Sequence, residues 1–276
     1  MKSYLMSAWI DLARYPIDRL ASAAGRALLR RCHDALDTHG IVALPGFVTA
    51  AATTHMLAQS ERLQKASRGF HSSEKHNIFL TDEAPPPGLG PSHPQLQQMS
   101  SSKLIFAADE LSEATPLHEI HAWPPMLHFV QAALRQEQIY PSACPLGRFY
   151  INVFSPGDQL GWHFDNSEFS INLMLQPAVE GGAFEYAPRT REAIEAMDTF
   201  PPADSVGEHV TVLSPPLVSS SLYLFYGRNS LHRVSRIEEG KRVNAILSYN
   251  SRPNERLHEY TLRKFFGRCE ALPSDA

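Results

Sequence analysis

The stretch Asn152-Val-Phe-Ser-Pro-Gly-Asp-Gln-Leu-Gly-Trp-His163-Phe-Asp165 decides how this chain is read. An apolar run ends at a Pro-Gly turn, and a second short run closes on His-x-Asp. Strand side chains alternate, so His163 and Asp165 share one face. An imidazole and a carboxylate at that spacing can take adjacent positions on an octahedral metal, and a third ligand from another strand completes a facial triad. His232, in Ser230-Leu-His-Arg-Val234, is the best third ligand. Three protein ligands on one face leave positions for a cosubstrate and oxygen, which suits Fe(II). Arg242 opens the apolar run Val243 to Tyr249, where a guanidinium is costly to bury unless it meets a carboxylate. A bidentate pair of that kind is a natural anchor for a dicarboxylic cosubstrate whose other end chelates the metal.

Outward from this stretch, short runs rich in Phe, Tyr, Val, Ile and Leu and bounded by Gly, Pro, Asn or Ser predict strands at 148–154, 160–164, 169–176, 182–187, 209–213, 221–227, 231–237 and 242–250. This is a sandwich or barrel pattern, interrupted by a short helix over Arg191 to Phe200. Before it, Asp18 and Gly40 bound a helical spacing over 18–39, Ile41 to Leu44 reads as a strand, Pro45-Gly46 as a turn, and Thr49 caps a helix over 50–66. The Pro- and Gly-rich run from Ala84 to Pro94 is a loop.

Together these features resemble the Fe(II)- and 2-oxoglutarate-dependent dioxygenases with a double-stranded β-helix core, over roughly residues 146–251. The resemblance is carried by Asn152, Pro156 and Gly157, the His163-x-Asp165 pair, Gly181-Gly-Ala-Phe184, His232 and Arg242, and by the earlier Gly40-Ile-Val-Ala-Leu-Pro-Gly-Phe47. It implies an α+β fold, a jelly-roll core buttressed by N-terminal helices. The single domain would span 1–276, with 1–140 as buttress and substrate-covering loops and 141–260 as the core. It also implies Fe(II) held by His163, Asp165 and His232, 2-oxoglutarate held by Arg242 and Asn152, and O2 as the oxidant. The role of Asn152 rests on the resemblance alone.

Within that family, Gly161 to Gln176, His76 to Thr81 and Ser230 to Val234 are most similar to a bacterial group of free-amino-acid hydroxylases and halogenases. The halogenase branch replaces the metal carboxylate by a small residue so that chloride can bind; this chain keeps Asp165. The implied reaction is hydroxylation of an unactivated C–H bond in a small molecule, a free amino acid or an amino-acid-derived metabolite. Desaturation and cyclisation would use the same residues, and a nucleic-acid demethylase or a non-catalytic metal-binding β-helix protein are the alternatives. Candidate substrate contacts are His76, read as flanking a loop at the site's mouth, Arg148, on the face of Asn152 by alternation, and Asn244, on the face of Arg242.

Composition narrows the partners. The chain carries 25 Lys and Arg against 29 Asp and Glu, a net charge of -4 without a basic stripe, which argues against nucleic acid. Cys32, Cys144 and Cys269 are too few and too scattered for a disulfide framework, which points to a reducing, cytoplasmic compartment. The apolar run Leu5 to Ile10 is too short for a signal segment or a membrane span. His118-Glu-Ile-His121 lacks the second His of a zinc-protease motif, since Ala122 stands in that place. Trp162, Phe164 and Tyr223 to Tyr226 read as core.

Overall fold

The computed structural model describes residues 6–111 and 115–272; Leu5, the first of the apolar run, lies outside them. Helix α1 (Ala23–His39) is capped by Ser22, whose side chain accepts from the Gly25 amide, and stops at Gly40 in the left-handed region. It starts later than the spacing predicts. Ile17–Arg19 form a separate 3-10 turn, and the chain then doubles back so tightly that a Cβ on Gly25 would lie 2.5 Å from Leu20 Cα. Strand β1 (Ile41–Leu44) and helix α2 (Ala50–Lys65), capped by Thr49, follow as expected.

Two strands that hydrophobic runs did not reveal come next, β2 (Phe70–Asn77) and β3 (Gln98–Phe106), separated by the Pro-rich loop. Helices α3 (Pro116–Ala122) and α4 (Pro124–Ala133) lead to strands β4 (Tyr140–Pro141), β5 (Phe149–Phe154), β6 (Gln159–His163), β7 (Ser170–Gln176), β8 (Glu180–Gly181) and β9 (Phe184–Ala187). After helices α5 (Arg191–Glu195) and α6 (Val206–His209) come β10 (Ser221–Phe225), β11 (Leu231–Val234), β12 (Ile237–Glu239), β13 (Arg242–Leu247) and β14 (Tyr249–Asn250), and finally helix α7 (Glu259–Phe266). The predicted strand at 209–213 is corrected: only Leu213 bridges, to Tyr186, while Val210 and Val212 pack beside Ile194 and Phe200 and Pro215-Pro216 stops any ladder. The helix expected to reach Phe200 ends at Glu195, with Ile194 as its buried residue.

The large sheet is antiparallel in the order β1-β10-β7-β13-β5-β3-β6-β11-β9, with β2 on the other edge of β3. It curls because β3 serves two partners. Its residues Leu104–Phe106 pair with β5 and its residues Ser101–Ser102 with β6, so the two layers of the jelly roll meet on one strand. The sheet therefore reaches outside 141–260 to include β1, β2 and β3.

Alternation then sorts the side chains. On β5, Phe149, Ile151 and Val153 join the large core with Phe47, Phe129 and the helices, whereas Tyr150, Asn152 and Phe154 line a cavity between the layers. On β13, Val243 and Ala245 face the core, and Arg242 and Asn244 face the cavity. No helix among the described residues is long and apolar enough to cross a membrane.

Candidate active site

The cavity encloses ≈ 180 Å³, and His163, Asp165 and His232 meet in it. His163 lies at the end of β6 directly opposite His232 on β11. Asp165 follows two residues after β6, its backbone N–H donating to the Gly227 carbonyl. Asp165 Oδ1 lies 3.5 Å from His163 Nε2 and 3.4 Å from His232 Nε2. Among the described residues this is the only group of three His, Cys, Asp or Glu side chains whose ligand atoms converge, all within 4.8 Å of one another.

The backbone decides which imidazole nitrogens face inward. His163 Nδ1 donates to the Gly161 carbonyl at 2.8 Å and His232 Nδ1 to the Ser230 carbonyl at 2.9 Å. Each ring is thereby held with its Nε2 turned toward Asp165, the arrangement that metal-binding histidines use. Burial pushes the His163 imidazole below its ordinary pKa, with His232 adding to the effect. Burial also works to raise the Asp165 carboxyl, but His232 and His163 outweigh it and hold the group well below the usual carboxylate range. Once a metal displaces the Nε2 protons that the two rings share with Asp165, two imidazoles and a carboxylate are a donor set that fits a divalent iron.

Further along the cavity, Arg242 is 2% exposed. Its Nη1 donates to Asn244 Oδ1 at 2.8 Å, its Nε has no partner, and its Cζ sits 5.3 Å from the Phe154 ring centroid. Among the described residues it forms no ion pair. Asn152, opposite Asn244 in the ladder, is buried with Oδ1 unpartnered. The orphaned Arg242 N–H, lining the cavity, fits a carboxylate that reaches in from the triad, and Asn152 can donate to one once its amide is turned so that the NH2 group faces inward.

The remaining sequence candidates divide. Asn244 lines the cavity, and His76 and Arg148 do not. His76 is on β2, not a loop, and buried; its Nε2 bonds Ser101 Oγ at 2.6 Å, Ser101 Oγ accepts from the Gly161 amide, and the ring stands 6.0 Å from His163 behind it. Arg148 precedes β5 and lies over the Phe149 ring, on the side that alternation assigns to the helical core. The expectation that His76 flanks a loop at the mouth of the site is corrected by its place on β2, and Arg148, expected on the cavity face with Asn152, leans instead over Phe149. His121 meets the Ser248 carbonyl, and Trp162 and Phe164 are core. Tyr223 and Phe225, read as packing alone, also wall the cavity.

Sequence reasoning missed Lys103 on β3, Tyr150 on β5, and the C-terminal stretch with Thr261 and Phe265, all of which line the cavity. The signal for Lys103 was present as alternation: Met99, Ser101, Lys103 and Ile105 are buried positions of β3 at every second residue.

Comparison with known proteins completes the description of the site. The sequence model of the halogenase D family matches residues 93–263, from just before β3 into α7. The chain belongs to the halogenase D family. No curated protein sequence matches it. Among solved structures, the non-heme α-ketoglutarate-dependent epimerase SnoN of nogalamycin biosynthesis aligns with a TM-score of 0.55 at 12% identity over 81% of this chain and 83% of its own. AviO1 from Streptomyces viridochromogenes Tue57 aligns at 0.53 and 12% identity, over 83% and 96%. A prolyl 4-hydroxylase from Phytophthora capsici aligns at 0.52 and 15% identity, over 91% and 73%. At such identities the likeness is one of fold, the double-stranded β-helix. By family and fold together, this halogenase D member is an enzyme of the Fe(II)- and 2-oxoglutarate-dependent oxygenase class, whose cofactors are Fe(II), 2-oxoglutarate and O2.

Proposed function

We propose that this halogenase D family member hydroxylates an unactivated C–H bond of a small molecule, a free amino acid or a metabolite derived from one. One observation carries the choice of hydroxylation over halogenation: Asp165 stands between the inward Nε2 atoms of His163 and His232, so a carboxylate fills the position that a halide would need. In this reading His163, Asp165 and His232 hold the metal, Arg242 grips the distal carboxylate of 2-oxoglutarate, and Asn152 and Asn244 hydrogen-bond along its length. When bound, iron supplies oxygen activation coupled to decarboxylation of 2-oxoglutarate to succinate. The apolar wall of Phe154, Phe184 and Phe225 limits water around the substrate.

The test is a screen of free amino acids with Fe(II) and 2-oxoglutarate, reading succinate and product mass together. A product 16 Da heavier than its substrate, the mass of one added oxygen, supports the reading. Uncoupled succinate with every amino acid would turn the search to other small molecules. Separately, the visible band of anaerobic Fe(II) with 2-oxoglutarate should vanish in His163→Ala and His232→Ala, and its survival in both would overturn the ligand assignment.

A further inference from the structure

Lys103 has no place in the chemistry above, yet it is 7% exposed and lines the same cavity. It occupies the residue of β3 between Leu104, paired with Val153 of β5, and Ser102, paired with Gln159 of β6. Lys103 therefore sits where the strand passes from one layer to the other. Ile105, two residues on, opens a row across three strands, Ile105–Asn152–Asn244. One step along, Lys103 stands beside Phe154, which is opposite Arg242. Its Nζ lies 6.0 Å from the Phe154 ring centroid and 4.9 Å from that of Phe265, and the Arg242 guanidinium lies 5.3 Å from the same Phe154 centroid.

Two cations thus share one aromatic ring on the wall of the cavity, and among the described residues neither forms an ion pair. A buried ammonium without a counter-ion is destabilising, and a methionine would fill the same space without that cost. Burial pushes the Lys103 ammonium down to about 8, with Asp165 opposing and Arg242 assisting, so an arriving anion would relieve it. We propose that Lys103 is a second carboxylate-binding cation of this cavity, working beside Arg242. It holds either the distal carboxylate of the cosubstrate or the carboxylate of the substrate. The proposal rests on the oxygenase reading and adds a named subsite to it.

The experiment is anaerobic titration of the Fe(II)-loaded protein with 2-oxoglutarate, followed by its visible band, in wild type, Lys103→Met and Lys103→Arg. Losing one charge-assisted contact should weaken 2-oxoglutarate binding in Lys103→Met roughly tenfold to a hundredfold, with Lys103→Arg close to wild type. 2-Oxopentanoate keeps the chelating end but lacks the distal carboxylate, and should bind all three proteins equally. That pattern assigns Lys103 to the cosubstrate. If 2-oxoglutarate binds Lys103→Met normally but the amino acids that perturb the wild-type band need roughly tenfold more, the carboxylate is the substrate's. Unchanged response to 2-oxoglutarate and to the whole amino-acid panel overturns the proposal. A wild-type protein that forms no band removes the cofactor reading instead; calorimetric titration with glutarate then judges Lys103, and equal binding by wild type and Lys103→Met overturns it. Melting temperatures check each variant, with Lys103→Gln replacing Lys103→Met should the latter not fold.

Discussion

Gly227 is a sensitive position outside the triad, because the Asp165 carboxylate rests against it. A Cβ placed on Gly227 would lie 2.7 Å from Asp165 Cγ, with Oδ2 nearer still. Moving Cγ from 2.7 Å to an ordinary 3.4 Å contact displaces the carboxylate by at least about 0.7 Å, away from two imidazoles fixed by backbone carbonyls. Misplacing a reacting geometry by about 1 Å costs on the order of a hundredfold in rate. Gly227 is not among the residues with positive φ, so alanine is tolerated by the backbone and the variant should fold. Gly227→Ala should therefore retain a near-native melting temperature while losing roughly a hundredfold in kcat/KM and binding Fe(II) more weakly. The assay pairs succinate formation under saturating 2-oxoglutarate with an Fe(II) titration monitored by the anaerobic band. Wild-type turnover together with wild-type iron affinity would refute the claim that Asp165 acts from the position the structure gives it.

Removing the buried charge in Arg242→Met should raise the 2-oxoglutarate requirement at least about thirtyfold while Fe(II) binding survives; an unchanged requirement in a titration would place the anchor elsewhere. With Asp165 in the coordination sphere, mass spectrometry should find no chlorinated product even in excess chloride, and a chlorinated product from the unaltered protein would contradict the hydroxylase reading. Burial pushes the His121 imidazole down to about 4, with the Ser248 carbonyl opposing. Between the unfolded value of about 6.5 and pH 4 the unfolded chain binds a proton that the folded one does not, so stability falls on acidification by up to about 3 kcal/mol. Urea melts of His121→Gln should show a flatter pH dependence over that window, and an identical slope would rule His121 out as its source.

The β core was legible where alternation and turn chemistry agreed. Asn152, Phe154, Arg242 and Asn244 fall on the cavity face because Ile151, Val153, Val243 and Ala245 need the other one, and Pro156-Gly157 marks the turn between β5 and β6. The His163-x-Asp165 pair and His232 were legible as ligand types, whereas their convergence comes from the β6–β11 register that sets His232 opposite His163. Strands β2 and β3 escaped because their sequences, Phe-His-Ser-Ser-Glu-Lys-His-Asn and Gln-Met-Ser-Ser-Ser-Lys-Leu-Ile-Phe, are polar where a strand buried on one face is usually apolar. Their buried positions hold His76, Ser101 and Lys103, which are kept there by hydrogen bonding and by the cavity. His76 was misplaced for that reason: on a loop it would reach the mouth, whereas on β2 it backs His163. The start of α1 was misjudged because Asp18 and Ser22 are both competent caps, and only the close packing of Gly25 on Leu20 selects between them.

The position of β3 also governs how the protein can be assembled. Synthesis delivers β2 and β3 before β5 and β6, and a two-stranded ribbon is marginal in water on its own. The ribbon must wait with an unpaired edge until strands made later close on it. Pairings so distant along the chain predict slow folding and a window of exposure to aggregation. The same dependence fixes what can be removed. A fragment beginning at residue 141 would retain His163, Asp165, His232 and Arg242 but leave the facing edges of β5 and β6 open, a template for misassociation in place of a smaller oxygenase.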